Sequence, residues 1–214
     1  MVYAVDEHYY VSPEWLLTHT DFYDNYDRTI KVFAGEYACH IPGFAGKMNM
    51  PEANCMQGAL AEAAFLTGIE RNSDVVAMAA YAPLLARKGY TQWSPDLIWF
   101  DGKEVFETPS YNVQQMYSKY RGEYVLSCKV EEENCKNVFV SATEDADGRV
   151  ILKLVNASDK DEAITFTGNA IEAKDLQKNE AYILSGEAGN EINSMLWEGN
   201  TFNLKKNSFC VLKL

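Results

Sequence analysis

Positive charge is scarce in this sequence of 214 residues. It has 19 Lys and Arg against 31 Asp and Glu, which gives a formal net charge of −12 at pH 7. Binding to a nucleic-acid backbone needs clustered basic side chains, and the few present here are scattered along the chain. The composition therefore predicts no nucleic-acid partner and disfavours an anionic membrane surface, while neutral ligands such as sugars remain compatible with it.

Long apolar runs are also lacking. No stretch of 18 apolar residues occurs, so we predict no membrane-spanning helix and no membrane partner. The N-terminal residues do not have the pattern of a signal peptide, because the charged Asp6 and Glu7 follow Met1 almost at once. We expect the sequence to begin inside a structured region, and the compartment stays open.

Patterns that bind metals or cofactors are few. The three histidines and five cysteines include no C-x-x-C pair and no zinc-finger spacing. No phosphate-binding loop or haem motif occurs either. We therefore expect no metal and no other cofactor, and the pairing of Cys128 with Cys135 stays open.

The first 122 residues alternate between apolar runs and helix-like segments. Such alternation predicts βα units and a parallel sheet. A helix is expected to begin at Pro13, because Ser12 is a good N-cap and proline suits the first helical position. The apolar runs cover 2–5, 30–33, 74–85 and 96–101, and further helices are predicted over 51–68 and 109–119.

After Gly122 the apolar residues recur with period two, and turn residues separate the segments. This pattern predicts an antiparallel β-sandwich or jelly roll. The predicted strands are 124–130, 138–144, 150–156, 163–168, 181–186 and 209–214.

Polar residues follow two of the predicted parallel strands. In a (β/α) barrel, catalytic groups lie at the C-terminal ends of the strands, and Glu36 meets that rule. Asp6, Glu7, His8 and Tyr10 follow the preceding strand in the same way. Carboxylates and aromatic rings together predict a sugar-binding cleft. From position alone, a capping or ion-paired role for Glu36 and a structural role for His8 stay open.

Two segments are unusually specific, GEYA (35–38) and LTGIERNSDVV (66–76). With the others given below, they resemble the C-terminal half of α-L-arabinofuranosidases of glycoside hydrolase family 51. The resemblance covers essentially the whole chain, more weakly after residue 122. It implies strands six to eight of a (β/α)8 TIM barrel in residues 1–122, followed by a C-terminal β-sandwich (jelly roll) in residues 123–214. The remaining segments that carry it are DEHYYVSPEWLL (6–17), YDNYDR (23–28), WSPDLIWFDG (93–102) and PSYNVQQMYSKYRG (109–122).

The resemblance implies a retaining glycosidase that removes terminal α-L-arabinofuranosyl groups from arabinan- or arabinoxylan-type glycans. It makes Glu36 the nucleophile, which would form a glycosyl–enzyme ester. His8 and Tyr10 match the histidine and tyrosine after the sixth strand, and Tyr10 would hydrogen-bond the nucleophile. Either Gln92 or Asp96 matches a polar residue that binds substrate.

The sequence departs from the family's pattern in two places. The family often has a tryptophan shortly after its nucleophile, where this sequence has His40. The family's acid/base glutamate lies in a Gly-Asn-Glu motif on the fourth strand, upstream of everything here. The letters Gly189-Asn190-Glu191 occur far downstream, in a polar stretch predicted to be a loop of the sandwich, so Glu191 is not expected to be the acid/base.

Strands one to five of such a barrel have no counterpart in the sequence. The chain therefore looks like a fragment that is inactive alone and active only with a missing N-terminal half. The alternative is a non-catalytic β-sandwich module for carbohydrate binding or assembly, with a vestigial barrel segment. Arabinofuranosyl-containing polysaccharides or oligosaccharides are the expected ligands, and a homo-oligomer is possible. Polymeric substrates favour a secreted or periplasmic full-length enzyme.

Overall fold

The computed structural model describes residues 3–131, 135–172, 176–186 and 191–214. The chain divides into two compact units, one up to Tyr111 and one from Asn112. The helix Pro109–Lys119 runs across this division. The domain boundary at residue 122 stays a prediction.

The first unit contains a three-stranded parallel sheet. Its strands are β1 (Ala4–Val11), β2 (Lys31–Cys39) and β3 (Val76–Tyr81), in the order β1-β2-β3. Helix α1 (Pro13–Thr18) follows β1, and helix α2 (Met56–Arg71) connects β2 to β3. The predicted βα alternation with parallel pairing is therefore confirmed.

Two strands extend further than the sequence predicted. β1 continues through Val11, so the polar stretch 6–10 lies within the strand, and Glu36 lies inside β2. The prediction ended each strand at its first polar residues and was wrong there. Asp6 and His8 of β1 are exposed, so polar residues lie within this strand without ending it.

Helix α1 begins as predicted. The Ser12 side chain accepts a hydrogen bond from the Trp15 N–H at 3.3 Å, with proline in the first turn. The next helix was predicted to begin at Pro51, but Pro51–Ala53 form a separate 3₁₀ turn before α2. Glycine at position 68 allows α2 to lie close to the segment after α1, because a Cβ there would be 2.0 Å from the backbone oxygen of Thr20.

The apolar run 74–85 is interrupted at Pro83, as the sequence predicts. β3 ends at Tyr81, and β4 (Leu85–Arg87) begins after Pro83, which cannot donate a ladder hydrogen bond. β4 pairs in parallel with β5 (Ile98–Phe100), which pairs antiparallel with β6 (Val105–Glu107). This small sheet was not predicted as a separate unit.

The second unit is an antiparallel sandwich, which confirms that part of the predicted fold, and its described residues form eight strands. Six strands form one sheet in the order β12-β11-β14-β9-β8-β7, and β10 pairs with β13 in a second. The jelly-roll topology stays a prediction. Helix α3 (Pro109–Lys119) precedes the strands, and the bounds are β7 (Tyr124–Leu126), β8 (Val138–Glu144), β9 (Val150–Asn156), β10 (Glu162–Thr165), helix α4 (Asn169–Glu172), β11 (Asn179–Ser185), β12 (Ile192–Trp197), β13 (Thr201–Leu204) and β14 (Ser208–Lys213).

Strand β9 is buried on both faces, which explains its nearly continuous apolar sequence. Leu152 and Leu154 point into the sandwich core with Phe202 of β13. Lys153 points to the other face and is fully buried, with its Nζ 5.3 Å from the ring centre of Tyr117 on α3. Its ammonium is thus placed against an aromatic ring, a favourable site for a buried cation.

The sequence Asn156-Ala157-Ser158 has the form of a glycosylation sequon, but the structure gives Asn156 another role. Its side chain is fully buried and donates to the carbonyls of Lys160 at 2.9 Å and Leu204 at 3.3 Å. Its Oδ1 accepts from the Ser158 N–H at 3.0 Å. Asn156 therefore joins the loop after β9 to the end of β13, and in the folded protein its amide is inaccessible to a modifying enzyme.

Candidate active site

Strands β1 and β2 bring three of the predicted site residues together. Their register pairs His8 with Glu36. The Tyr10 hydroxyl donates to Glu36 Oε2 at 2.5 Å, and His8 Nδ1 lies 3.5 Å from the same oxygen. The Glu36 side chain is 44% exposed, so one edge of the carboxylate is held while the group stays accessible.

Burial and the hydrogen bond to Glu36 raise the pKa of Tyr10 to about 12. The phenol therefore keeps its proton over the neutral range and acts as a donor to the carboxylate. Because both contacts involve Oε2, Oε1 of Glu36 is the oxygen that neither Tyr10 nor His8 engages.

Glu7 was grouped with these residues in the sequence prediction, and that grouping was wrong. Alternation along β1 places Glu7 on the opposite face of the sheet. There its carboxylate accepts hydrogen bonds from Tyr26 at 2.7 Å, from Tyr23 at 3.1 Å and from Tyr9. Glu7 thus connects β1 to the segment after α1 and does not face Glu36.

An aromatic group lies beside Tyr10. The ring centre of Trp93 is 6.0 Å from that of Tyr10 and 5.6 Å from that of His40, and the Tyr10 and His40 rings are 5.2 Å apart. Burial lowers the pKa of His40 and so favours its neutral imidazole. The sequence prediction missed Trp93, although it lies between the two polar residues chosen from the same segment. Its exposure, unusual for tryptophan in a folded unit, is visible only in the structure.

The two remaining predicted substrate ligands differ in accessibility. Gln92 is exposed, whereas Asp96 is buried. Burial raises the pKa of Asp96 to about 6, and a hydrogen bond from Thr91 opposes the shift. In the described residues neither side chain is hydrogen-bonded to Glu36 or Tyr10, and their assignment to substrate stays a prediction.

A second carboxyl group lies behind the strand that carries Glu36. Glu62 of α2 is 1% exposed, and its Oε1 accepts the Cys39 N–H at 2.8 Å. Burial raises its pKa from the ordinary 4.5 to about 7, although hydrogen bonds from Ser110 and Cys39 favour the ionised form. The effect of burial is larger, because the free energy of hydration that the charged carboxylate loses exceeds the stabilisation from these two hydrogen bonds. Glu62 therefore attaches α2 to the end of β2.

This shift predicts a pH dependence of stability. The pKa of Glu62 is higher in the folded state than in the unfolded chain, so folding is favoured by protonation. Its contribution is fully present below about pH 4.5 and is lost as pH rises to about 7. In Glu62→Gln, which keeps an acceptor for the Cys39 N–H, we expect the free energy of unfolding to lack this decrease. The wild-type decrease that the variant avoids is on the order of 3 kcal/mol at pH 8.

The measurement is the free energy of unfolding of both proteins between pH 4.5 and 8. Glu14→Gln, which changes an exposed glutamate of α1, serves as the control and should keep the wild-type profile. Parallel profiles for wild type and Glu62→Gln would contradict the prediction.

Glu191 is exposed and lies directly before β12 in the second unit. Gly189 and Asn190 lie outside the described residues. Residues 192–194, predicted to belong to a loop of the sandwich, begin strand β12 (Ile192–Trp197), and the prediction was wrong there. β12 lies at an edge of the six-stranded sheet and exposes most of its side chains, so it lacks the apolar alternation of the other strands.

Neither a metal-ligand cluster nor a membrane-crossing helix occurs in the described ranges. There, no three His, Cys, Asp or Glu side chains are arranged to hold a metal ion. None of the helices in those same ranges combines the length and the apolar character needed to cross a bilayer.

Comparisons with known proteins agree with the β-sandwich of the second unit and identify the family of this chain. The structure of an arabinose-bound MgGH51 α-L-arabinofuranosidase superposes with a TM-score of 0.81 at 28% identity, over 98% of this chain and 36% of that one. Residues 35–208 match the family described as the α-L-arabinofuranosidase C-terminal domain. The chain belongs to this family, and the predicted resemblance to the C-terminal portion of a family 51 enzyme is confirmed.

Two curated relatives give the extent of the likeness. An extracellular exo-α-L-arabinofuranosidase of Streptomyces chartreusis is 46% identical over 129 residues, which are 60% of this chain and 14% of that protein. A probable α-L-arabinofuranosidase A of Aspergillus flavus is 39% identical over 168 residues, 76% of this chain and 25% of that protein. The chain thus spans a quarter or less of the length of these relatives.

Proposed function

We propose that this chain supplies the nucleophile of a retaining α-L-arabinofuranosidase, and that Glu36 is that nucleophile. The observation that carries the proposal is the contact of Glu36 Oε2 with the Tyr10 hydroxyl at 2.5 Å, on an exposed face of the sheet. A hydrogen bond to one carboxylate oxygen gives the group a defined direction. Membership of the arabinofuranosidase family supports the substrate class.

In the proposed reaction, Glu36 Oε1 attacks the anomeric carbon of a terminal arabinofuranosyl group. The bond to the leaving oxygen breaks while a second carboxyl group donates a proton to that oxygen. Water, deprotonated by the same second group, then releases arabinose from the glycosyl–enzyme ester. Tyr10 and His8 hold Oε2 during both steps, and the exposed Trp93 offers an apolar ring face beside them.

The second carboxyl group is proposed to come from a segment outside this sequence. A retaining pair needs its carboxyl groups about 5–5.5 Å apart. On the face that carries Glu36, the Asp6 carboxylate is already engaged by the His8 ring. Strands β1 and β3 each pair only with β2 in the described residues, and their outer edges are suited to pair with further strands of a (β/α)8 barrel.

The substrates are proposed to be arabinan- or arabinoxylan-type glycans with terminal α-L-arabinofuranosyl groups. Secretion of the full-length enzyme fits a polymeric substrate, and the Streptomyces relative is named extracellular. The net charge of −12 does not oppose the binding of neutral glycans.

The test is an assay on an aryl α-L-arabinofuranoside with the chain alone and with an added N-terminal barrel segment from a relative. We expect no detectable turnover by the chain alone, since loss of the general acid forfeits about 10²–10⁴-fold of rate. Turnover should appear when the two polypeptides co-purify. Turnover by the chain alone that is lost in Glu36→Gln would contradict the need for a second polypeptide, and binding of arabinan by a complemented but inactive protein would favour the non-catalytic alternative.

A further inference from the structure

We infer that Asp6 is a positioning residue that orients the Glu36 carboxylate through the His8 ring, in a space that Gly35 leaves open. The inference rests on the proposed function only in what Glu36 does chemically. The arrangement of the three side chains can be tested without turnover.

The His8 ring lies between two carboxylates. Its Nε2 is 3.1 Å from Asp6 Oδ2, and its Nδ1 is 3.5 Å from Glu36 Oε2. A hydrogen bond at one ring nitrogen of a histidine fixes the orientation of the ring and the role of the other nitrogen. Asp6 therefore determines where His8 Nδ1 points and so where Glu36 Oε2 is held.

Gly35 makes room for this arrangement. A Cβ built at position 35 would lie 2.1 Å from Asp6 Oδ1 and 3.0 Å from Asp6 Cγ. Any larger residue directly before the nucleophile would displace the Asp6 carboxylate. The requirement for glycine here comes from close packing and not from an unusual backbone angle.

Two irregularities of the sheet meet at this point. The β1–β2 register shifts between Asp6 and His8, and the β2–β3 register shifts between Ala34 and Tyr37. Such shifts re-aim side chains locally. Here they accompany the approach of Asp6 to Gly35 while His8 stays opposite Glu36.

The network contributes geometry more than stability. The Asp6, His8 and Glu36 side chains are 56%, 44% and 44% exposed, and exposed ion pairs add little to folding free energy. The isosteric Asp6→Asn should therefore leave the melting temperature unchanged. A purely structural role would instead lower the melting temperature and leave the orientation of Glu36 unaffected.

The test uses the isotope-labelled full chain in NMR. Only three histidines are present, so the ring nitrogens of His8 can be assigned by the loss of their signals in His8→Gln, and the Glu36 carboxyl carbon by Glu36→Gln. In Asp6→Asn we expect both sets of signals to move. Gly35→Ala should move them in the same way with the Asp6 carboxylate still present. Asp74→Asn, which removes another exposed carboxylate paired with Arg28 at 3.2 Å, should leave them in place.

The kinetic arm uses the chain complemented with a barrel segment. Asp6→Asn should lower kcat about 10- to 100-fold with KM nearly unchanged, because a misaimed nucleophile affects the reaction more than binding. His8 and Glu36 signals that superimpose on wild type in Asp6→Asn would overturn the inference, as would a lowered melting temperature with changes throughout the unit. If the signals move but Glu36→Gln keeps full turnover, the network stands and the proposed function fails.

Discussion

Glu36→Gln should abolish turnover by the complemented enzyme, lowering kcat by roughly 10⁴-fold or more. Glutamine has the shape of glutamate and can still accept the Tyr10 hydrogen bond. Its amide, however, is a poor nucleophile and cannot form the glycosyl ester. The measurement is the rate of aryl α-L-arabinofuranoside hydrolysis, with melting temperature recorded to establish that the variant is folded.

The matched control for this prediction is Glu191→Gln. Glu191 is the glutamate of the Gly189-Asn190-Glu191 sequence. It directly precedes β12, and its side chain is exposed. We expect this variant to keep the wild-type rate. If Glu36→Gln retained turnover within tenfold of wild type, or if Glu191→Gln lost it, Glu36 would not be the nucleophile.

Leu154→Ala should lower the free energy of unfolding of the second unit by about 2–5 kcal/mol. Leu154 is 1% exposed and lies on the central strand β9, within the sandwich core. Truncation removes buried methyl groups and leaves a cavity that the neighbouring strands cannot close fully. Denaturant unfolding can be followed through the indole signal of Trp197, which lies in the same core.

The control substitution is Leu196→Ala in the same sheet. Leu196 is 71% exposed on the edge strand β12, so the same chemical change should alter the free energy of unfolding by no more than about 0.5 kcal/mol. Equal effects of the two substitutions would mean that β9 is not the centre of the core.

The sandwich strands differ in how well the sequence predicts them. β8 and β9 have the bounds that were predicted, 138–144 and 150–156, because apolar residues fill their core-facing positions and Gly148 lies in the turn between them at a φ of 76°. β12 was missed because an edge strand pairs on one side only and can carry polar side chains. It forms by backbone pairing with β11, and its own side-chain pattern does not predict that pairing.

The candidate site divides in a similar way. Glu36, His8 and Tyr10 follow from the motif resemblance, and the structure brings them together. Glu7 lies on the opposite face because β1 continues through Val11. The polar residues of this stretch led the sequence prediction to end the strand too early. Trp93 lies far from Tyr10 along the chain, so their proximity results from the folding of the loop between β4 and β5.

Two features could be predicted from the sequence alone: the change from βα units to an antiparallel sandwich, and the family with its carboxylate at position 36. Periodicity and short motifs carry that information because they depend on neighbours along the chain. Three further features became visible only in the folded chain: which face each side chain of β1 uses, how Asp6 reaches Gly35, and which rings surround Tyr10. Those features depend on strand register and on irregularities of pairing, where a shift of one residue turns every side chain to the other face.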